Sequence, residues 1–167
     1  MRRHGRQVHD RDGYPAYLPT DLRGFVVSAD ALAAWVAEQA GDIVGHVALH
    51  RRTIDPVLAL AGQALQQPVE RLGVVARLFV GLSARRSGTG RALLEMASAD
   101  AVARGLWPIL DVATNLHAAI GLYETCGWTR LGAVTVRFAD SWSLDEYVYL
   151  GPLSPGPTAS FEPMSAP

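Results

Sequence analysis

Between residues 85 and 91 the chain reads Arg85-Arg86-Ser87-Gly88-Thr89-Gly90-Arg91, a cluster of guanidinium groups, hydroxyls and glycines whose chemistry is anion binding. The elements that must position it flank it directly. Upstream, Ala76-Arg77-Leu78-Phe79-Val80 is apolar and rich in strand-forming residues; downstream, Arg91-Ala92-Leu93-Leu94-Glu95-Met96-Ala97 opens a helix that ends at Arg104-Gly105. The first turn of a helix leaves its backbone N–H groups without partners and carries about half a positive charge, so a turn that exposes those groups holds phosphate. Gly88 and Gly90 let the backbone approach closely, and the forks of Arg85, Arg86 and Arg91 match phosphate oxygens. The expected ligand carries several phosphates.

Two familiar phosphate loops are excluded by residue type. A nucleotide-hydrolysing P-loop ends in Gly-Lys-Ser/Thr, and the chain contains no lysine; the dinucleotide fingerprint needs a third glycine where Leu93 stands. What remains is Arg-x-x-Gly-x-Gly after a strand ending Leu78-Phe79-Val80. This stretch resembles the GNAT superfamily of acyl-CoA-dependent N-acyltransferases, whose Gln/Arg-x-x-Gly-x-Gly/Ala loop holds the pyrophosphate of coenzyme A. The resemblance implies a cofactor site at Leu78, Phe79, Val80, Arg85, Arg86, Ser87, Gly88, Thr89, Gly90 and Arg91.

A second stretch, Asn115-Leu-His-Ala-Ala-Ile-Gly-Leu-Tyr-Glu-Thr-Cys-Gly-Trp128, is similar to the Asn-x-x-Ala-Ile-x-Leu-Tyr-x-x-x-Gly-Phe helix of the same superfamily. Ala119, Ile120, Leu122, Tyr123 and Gly127 match, with Trp128 for Phe. Counting back from Tyr123, the asparagine position holds Leu116, and Asn115 lies one residue earlier, about 100° around a helix. Asn115 is expected at the pantetheine arm if the start of the helix is looped out by one residue. Tyr123 is the expected acid toward the departing CoA thiolate, a phenol being a reasonable donor to a thiolate of similar basicity. Cys126, a lone thiol at a helix end, reads as packed and not as an acyl carrier.

The resemblance further implies that the central strand splays from its neighbour and pairs with the pantetheine arm through the backbone of Leu78 and Val80. The Leu78 N–H is then the donor to the thioester carbonyl, and an uncharged amine attacks that carbonyl directly. The arginines hold phosphate and do no bond chemistry. His46, His50, Asp111, Glu146 and a water chain are all open as acceptors of the amine's proton.

Composition sets limits around these sites. The 167 residues, 49% hydrophobic, suffice for one domain with a real core. A formal net charge of -1 gives no global basic footprint for nucleic acid or an anionic membrane. All 15 basic residues are arginine, so the protein offers no lysine for self-acetylation. One cysteine leaves no internal disulfide and no cysteine-built zinc site, and no stretch reaches the roughly 18 apolar residues of a membrane span. A cytoplasmic monomer or homodimer is expected, without metal, using acetyl-CoA as cosubstrate and a small-molecule or protein amine as acceptor.

Along the chain, residues 1–12 read as an N-terminal arm or truncated helix, residues 13–150 as the acyltransferase domain, and the Pro/Gly/Ser-rich residues 151–167 as a disordered tail. Ala33 to Gln39 and Ile43 to His50 form a hairpin signal across Ala40-Gly41-Asp42. Within 55–72, Val57, Leu58, Ala61 and Leu65 share one face of a short helix that Pro56 can start. Strand from Gly73 to Val80, helix from Thr89 to Arg104, strand from Trp107 to Ala113 and helix from Leu116 to Cys126 follow. Trp128 to Val136 and Leu144 to Leu150 close the pattern as a strand pair. The fold class expected is α/β, the GNAT fold: a mixed central sheet with a splayed central strand pair flanked by helices. Only about thirty residues precede Ala33, so either the first edge strand is missing or shortened or the true start codon lies upstream.

Two other readings stay open: a non-catalytic acyl-CoA-binding or sensing module of the same fold, and a phosphate module for another nucleotide. Tyr123 favours the enzyme over the sensing module, since binding alone has no need of an acid.

Overall fold

A computed structural model of the chain describes residues 30–138 and 142–153. The expectations for the N-terminal arm, the first edge strand and the tail beyond residue 153 lie outside them. Strands β1 (Ala31–Gln39) and β2 (Asp42–His50) form the expected hairpin. Ala40 and Gly41 both take positive φ, 52° and 83°, the two-residue turn whose twist suits a hairpin. Helix α1 (Asp55–Leu65) starts on Pro56 and buries Val57, Leu58 and Ala61. Full burial of Val57 and Leu58 contributes about 1.5–3 kcal/mol each. The helix stops where Gln66 turns left-handed at φ 53°, so the rest of the 55–72 segment is a turn and a short 3-10 helix, Val69–Arg71.

Strand β3 (Leu72–Val80), helix α2 (Thr89–Ala103), strand β4 (Trp107–Ala113), helix α3 (His117–Thr125) and strands β5 (Thr129–Arg137) and β6 (Ser143–Leu150) follow within two residues of the expected limits. The sheet order is β1-β2-β3-β4-β6-β5. Among the described strands only β3 and β4 run parallel, and α2 supplies the crossover that a parallel pair requires.

Adjacent residues of one strand face opposite layers. Val75, Leu110 and Tyr149 join Leu93, Leu94, Ala97 and Ala101 of α2 and Ile120 and Tyr123 of α3 in one core. Their chain neighbours Val74, Ile109 and Val148 join Val57, Leu58 and Ala61 of α1 in the other. A sheet with helices on both faces is the expected α/β architecture.

Candidate active site

The central strands come apart. β3 and β4 pair only at Leu72↔Trp107, Gly73↔Pro108 and Val74↔Ile109. Beyond that point β3 stays with β2 as far as Val80↔Gly45, and β4 stays with β6 as far as Ala113↔Glu146. The opening is thus a wedge between two well-paired half-sheets, bordered by Ala76–Val80 on one side and Leu110–Ala113 on the other.

A bulge accounts for the divergence. Ala48↔Ala76 is followed by His46↔Phe79, so β3 spends three steps where β2 spends two. The extra residue falls at Arg77-Leu78, and Arg77 takes φ 57°, a conformation costing a side-chain-bearing residue about 1 kcal/mol. Such a bulge bends its strand and re-aims the backbone. His46 braces it: Nδ1 lies 3.0 Å from the Arg77 carbonyl oxygen, and its ring stacks on Phe79 at 5.7 Å and 17°. A carbonyl only accepts, so Nδ1 carries the proton.

At the open end of the wedge, Gly81 N–H bonds Val44 O, a 3-10 turn covers Leu82–Ala84, and the glycine loop turns the chain into α2. Arg86 and Gly88 take φ of 62° and 85°. Gly88 is the N-cap, and no side chain caps the helix, so the first N–H groups of α2 are left for a ligand. Ser87 Oγ donates to Ala84 O at 2.6 Å and lies 2.7 Å from Thr89 Oγ1, which fixes the loop. Arg86 and Arg91 are exposed, whereas Arg85 turns back and gives Nε to Val80 O at 3.3 Å. Gly90 serves packing as well: a Cβ there would meet Leu122 Cδ2 at 3.2 Å and Val80 Cγ2 at 3.5 Å.

Helix α3 closes the side next to α2. Tyr123 is 8% exposed, its ring 6.2 Å from Trp128 and 6.3 Å from Tyr149, in the core against which Leu78 and Val80 pack. Glu124 holds the helix to the sheet, accepting from Tyr149 Oη at 2.9 Å and from Arg130 Nη2 at 3.1 Å. Asn115 is exposed in the turn that Leu116 N closes on Ala113 O, one residue before the N-cap. The one-residue offset in the motif therefore falls outside the helix and rotates nothing around it.

The profile of the acetyltransferase (GNAT) family matches residues 4–128. The chain belongs to the GNAT acetyltransferase family. It is 33% identical over 119 residues to N-acetyltransferase family 8 member 3 of Rattus norvegicus, an alignment covering 71% of this chain and 47% of the relative, so it spans about half that protein's length. Arabidopsis thaliana NAA60, solved with a bisubstrate analogue, superposes with a TM-score of 0.64 at 16% identity, over 89% of this chain and 90% of its own. YncA of Salmonella typhimurium, a putative acetyltransferase solved with its cofactor acetyl-CoA, superposes with a TM-score of 0.55 at 18% identity, over 77% and 68%. At these identities the two structures speak for the GNAT fold alone.

Most of the residues expected at the GNAT cofactor site gather on one path. Leu78 and Val80 border the wedge, residues 85–91 its open end, and Tyr123 the shared core. Phe79 departs from that path, turning its ring to His46 on the opposite face. Cys126, at the C-cap of α3, has its thiol pushed up by burial, which leaves it a poor nucleophile. Among the described residues no three His, Cys, Asp or Glu side chains group as a metal site, and no helix is long and apolar enough to cross a membrane.

The four side chains open as proton acceptors separate here. Asp111 pairs with Val148 and Glu146 with Ala113, so the two acids are diagonal neighbours on the α1 face of β4 and β6, beside the wedge. Glu146 is 8% exposed; burial first, and then the nearby Asp111, push its carboxyl up to about 7. Its Oε2 has no hydrogen-bond partner among the described residues. Burial raises Asp111 as well, opposed by the Thr53 hydroxyl 3.4 Å away. His50 pairs with Val74, where the strands are still joined, and burial, then Arg77, lower it. His46 faces the bulge with Nδ1. Each acid interrupts an apolar strand, a signal present in the sequence, but their adjacency depends on β6 inserting beside β4.

Proposed function

We propose that the protein is an acetyl-CoA-dependent N-acetyltransferase acting on a primary amine. The observation that carries this reading is the wedge between β3 and β4, which opens beside the uncapped start of α2. A pantetheine arm needs an unpaired strand edge, and a pyrophosphate needs unpaired N–H groups with arginines close by. Thr89, Gly90 and Arg91 supply the amides, with Ser87 and Gly88 shaping the loop, and Arg85, Arg86 and Arg91 supply charge. Asn115, at the C-terminal end of β4, borders the arm.

The acceptor enters from the α1 face, where the carboxyls of Asp111 and Glu146 attract an ammonium ion. With an affinity for protons near neutrality, Glu146 takes one from the ammonium and leaves an uncharged amine. The amine nitrogen attacks the thioester carbonyl, and charge on its oxygen is met by the Leu78 N–H. The C–N bond forms, the C–S bond breaks, and Tyr123 gives its hydroxyl proton to the sulfur. The nitrogen releases its remaining extra proton to solvent, and the Tyr123 phenolate recovers one from solvent.

Thiol release from acetyl-CoA, followed across a panel of small and peptidyl primary amines, tests this reading, with mass spectrometry of the acetylated amine. Tyr123→Phe should bind acetyl-CoA as the wild type does and lose about 10²-fold or more in rate. A wild type that binds acetyl-CoA and acetylates no amine would instead mark a non-catalytic acyl-CoA-binding module.

A further inference from the structure

His46 is 2% exposed, and it meets the bulge at two points. Nδ1 donates to the Arg77 carbonyl and the ring lies on Phe79, so the side chain grips both ends of the bulge, Arg77 before Leu78 and Phe79 after it. The bulge is strained at Arg77 and would relax if released, because one fewer residue in β3 restores regular pairing with β2. Relaxation by one residue turns every following side chain and amide to the other side. The amide of Leu78 is the one that would turn first.

We propose that His46 is a positioning residue. Its Nδ1–H bond to the Arg77 carbonyl holds the Leu78 amide toward the wedge, in line with the thioester oxygen. This rests on the acetyl-CoA reading above and adds a residue to it. The role rests on the Nδ1–H alone, which holds the carbonyl whatever Nε2 does.

The test is the isotope-edited infrared spectrum of acetyl-CoA labelled with ¹³C at its carbonyl, bound to wild type, His46→Asn and His46→Phe. Asn places an amide N–H where Nδ1 stands, whereas Phe keeps the stack on Phe79 and removes the donor. The carbonyl band should shift to lower frequency in wild type and in His46→Asn and return to its free position in His46→Phe, with free CoA bound equally by all three. Thiol release should follow the band, falling about 10²-fold in His46→Phe only. A shift retained in His46→Phe, or lost in His46→Asn as fully as in His46→Phe, would overturn the proposal. Should either variant fail to fold, the ¹⁵N spectrum of the wild-type imidazole decides: a proton on Nδ1 is required, and a proton on Nε2 alone contradicts it. If wild type binds no acetyl-CoA, the acetyltransferase reading fails, while the imidazole spectrum still reports on His46.

Discussion

Glu146 is a carboxyl placed where its charge is costly. Folded, it holds its proton to about pH 7, whereas its ordinary value is 4.5. Between those values the folded chain binds more protons than the unfolded one, so this group's contribution to stability falls as pH rises from about 4.5 to 7. Glu146→Gln carries no charge to bury. The variant should gain on the order of 2 kcal/mol over wild type at pH 8 compared with its difference at pH 5, read by chemical unfolding at both values. An equal difference at the two pH values would contradict the assignment. The same variant should release thiol more slowly, because an amide takes no proton. A gain in stability with a loss of rate is the pattern expected where a group is kept for chemistry.

At the scale of elements, β3, the glycine loop and α2 act as one unit, and Gly90 is where the unit meets α3. Gly90→Val would push branches into Leu122 and Val80, which stand 3.2 and 3.5 Å from a Cβ there. The expected cost is about 1–3 kcal/mol, with weaker acetyl-CoA binding as the helix start shifts; thermal unfolding and titration with acetyl-CoA check both. A wild-type affinity for acetyl-CoA in a variant of lowered stability would separate the glycine from the site.

The loop was legible because its signals are local: strand, arginines, glycine, amphipathic helix. Residues 107–113 were legible for the same reason, an apolar run with Pro108 near its start. The bulge left no such mark, since nothing in the types of Arg77 and Leu78 calls for a positive φ; only pairing with β2 imposes it. Nor was the meeting of Asp111 and Glu146 visible, because that depends on which strands become neighbours. Gly90 makes room for phosphate by its type alone, whereas its packing against Leu122 depends on where α3 lies.

The whole molecule makes its site by failing to close a sheet. Among the described residues the two half-sheets, β1-β2-β3 and β4-β6-β5, are joined by strand pairing only at Leu72–Val74, while the helices on each face pack against both halves. Backbone groups along the wedge would be costly if buried without partners, so an extended ligand that pairs with them is favoured over collapse. Positive charge gathers at the open end although the formal net charge of the chain is only -1, which favours a phosphate-bearing ligand there. Occupancy of the wedge by acetyl-CoA is tested most directly by thermal unfolding with acetyl-CoA, CoA, ATP and NAD at equal concentration. Acetyl-CoA and CoA should raise the midpoint, by the equivalent of about 2.7 kcal/mol at one hundred times Kd, and ATP and NAD should not. Equal shifts with ATP or NAD, or none with acetyl-CoA, would contradict the site.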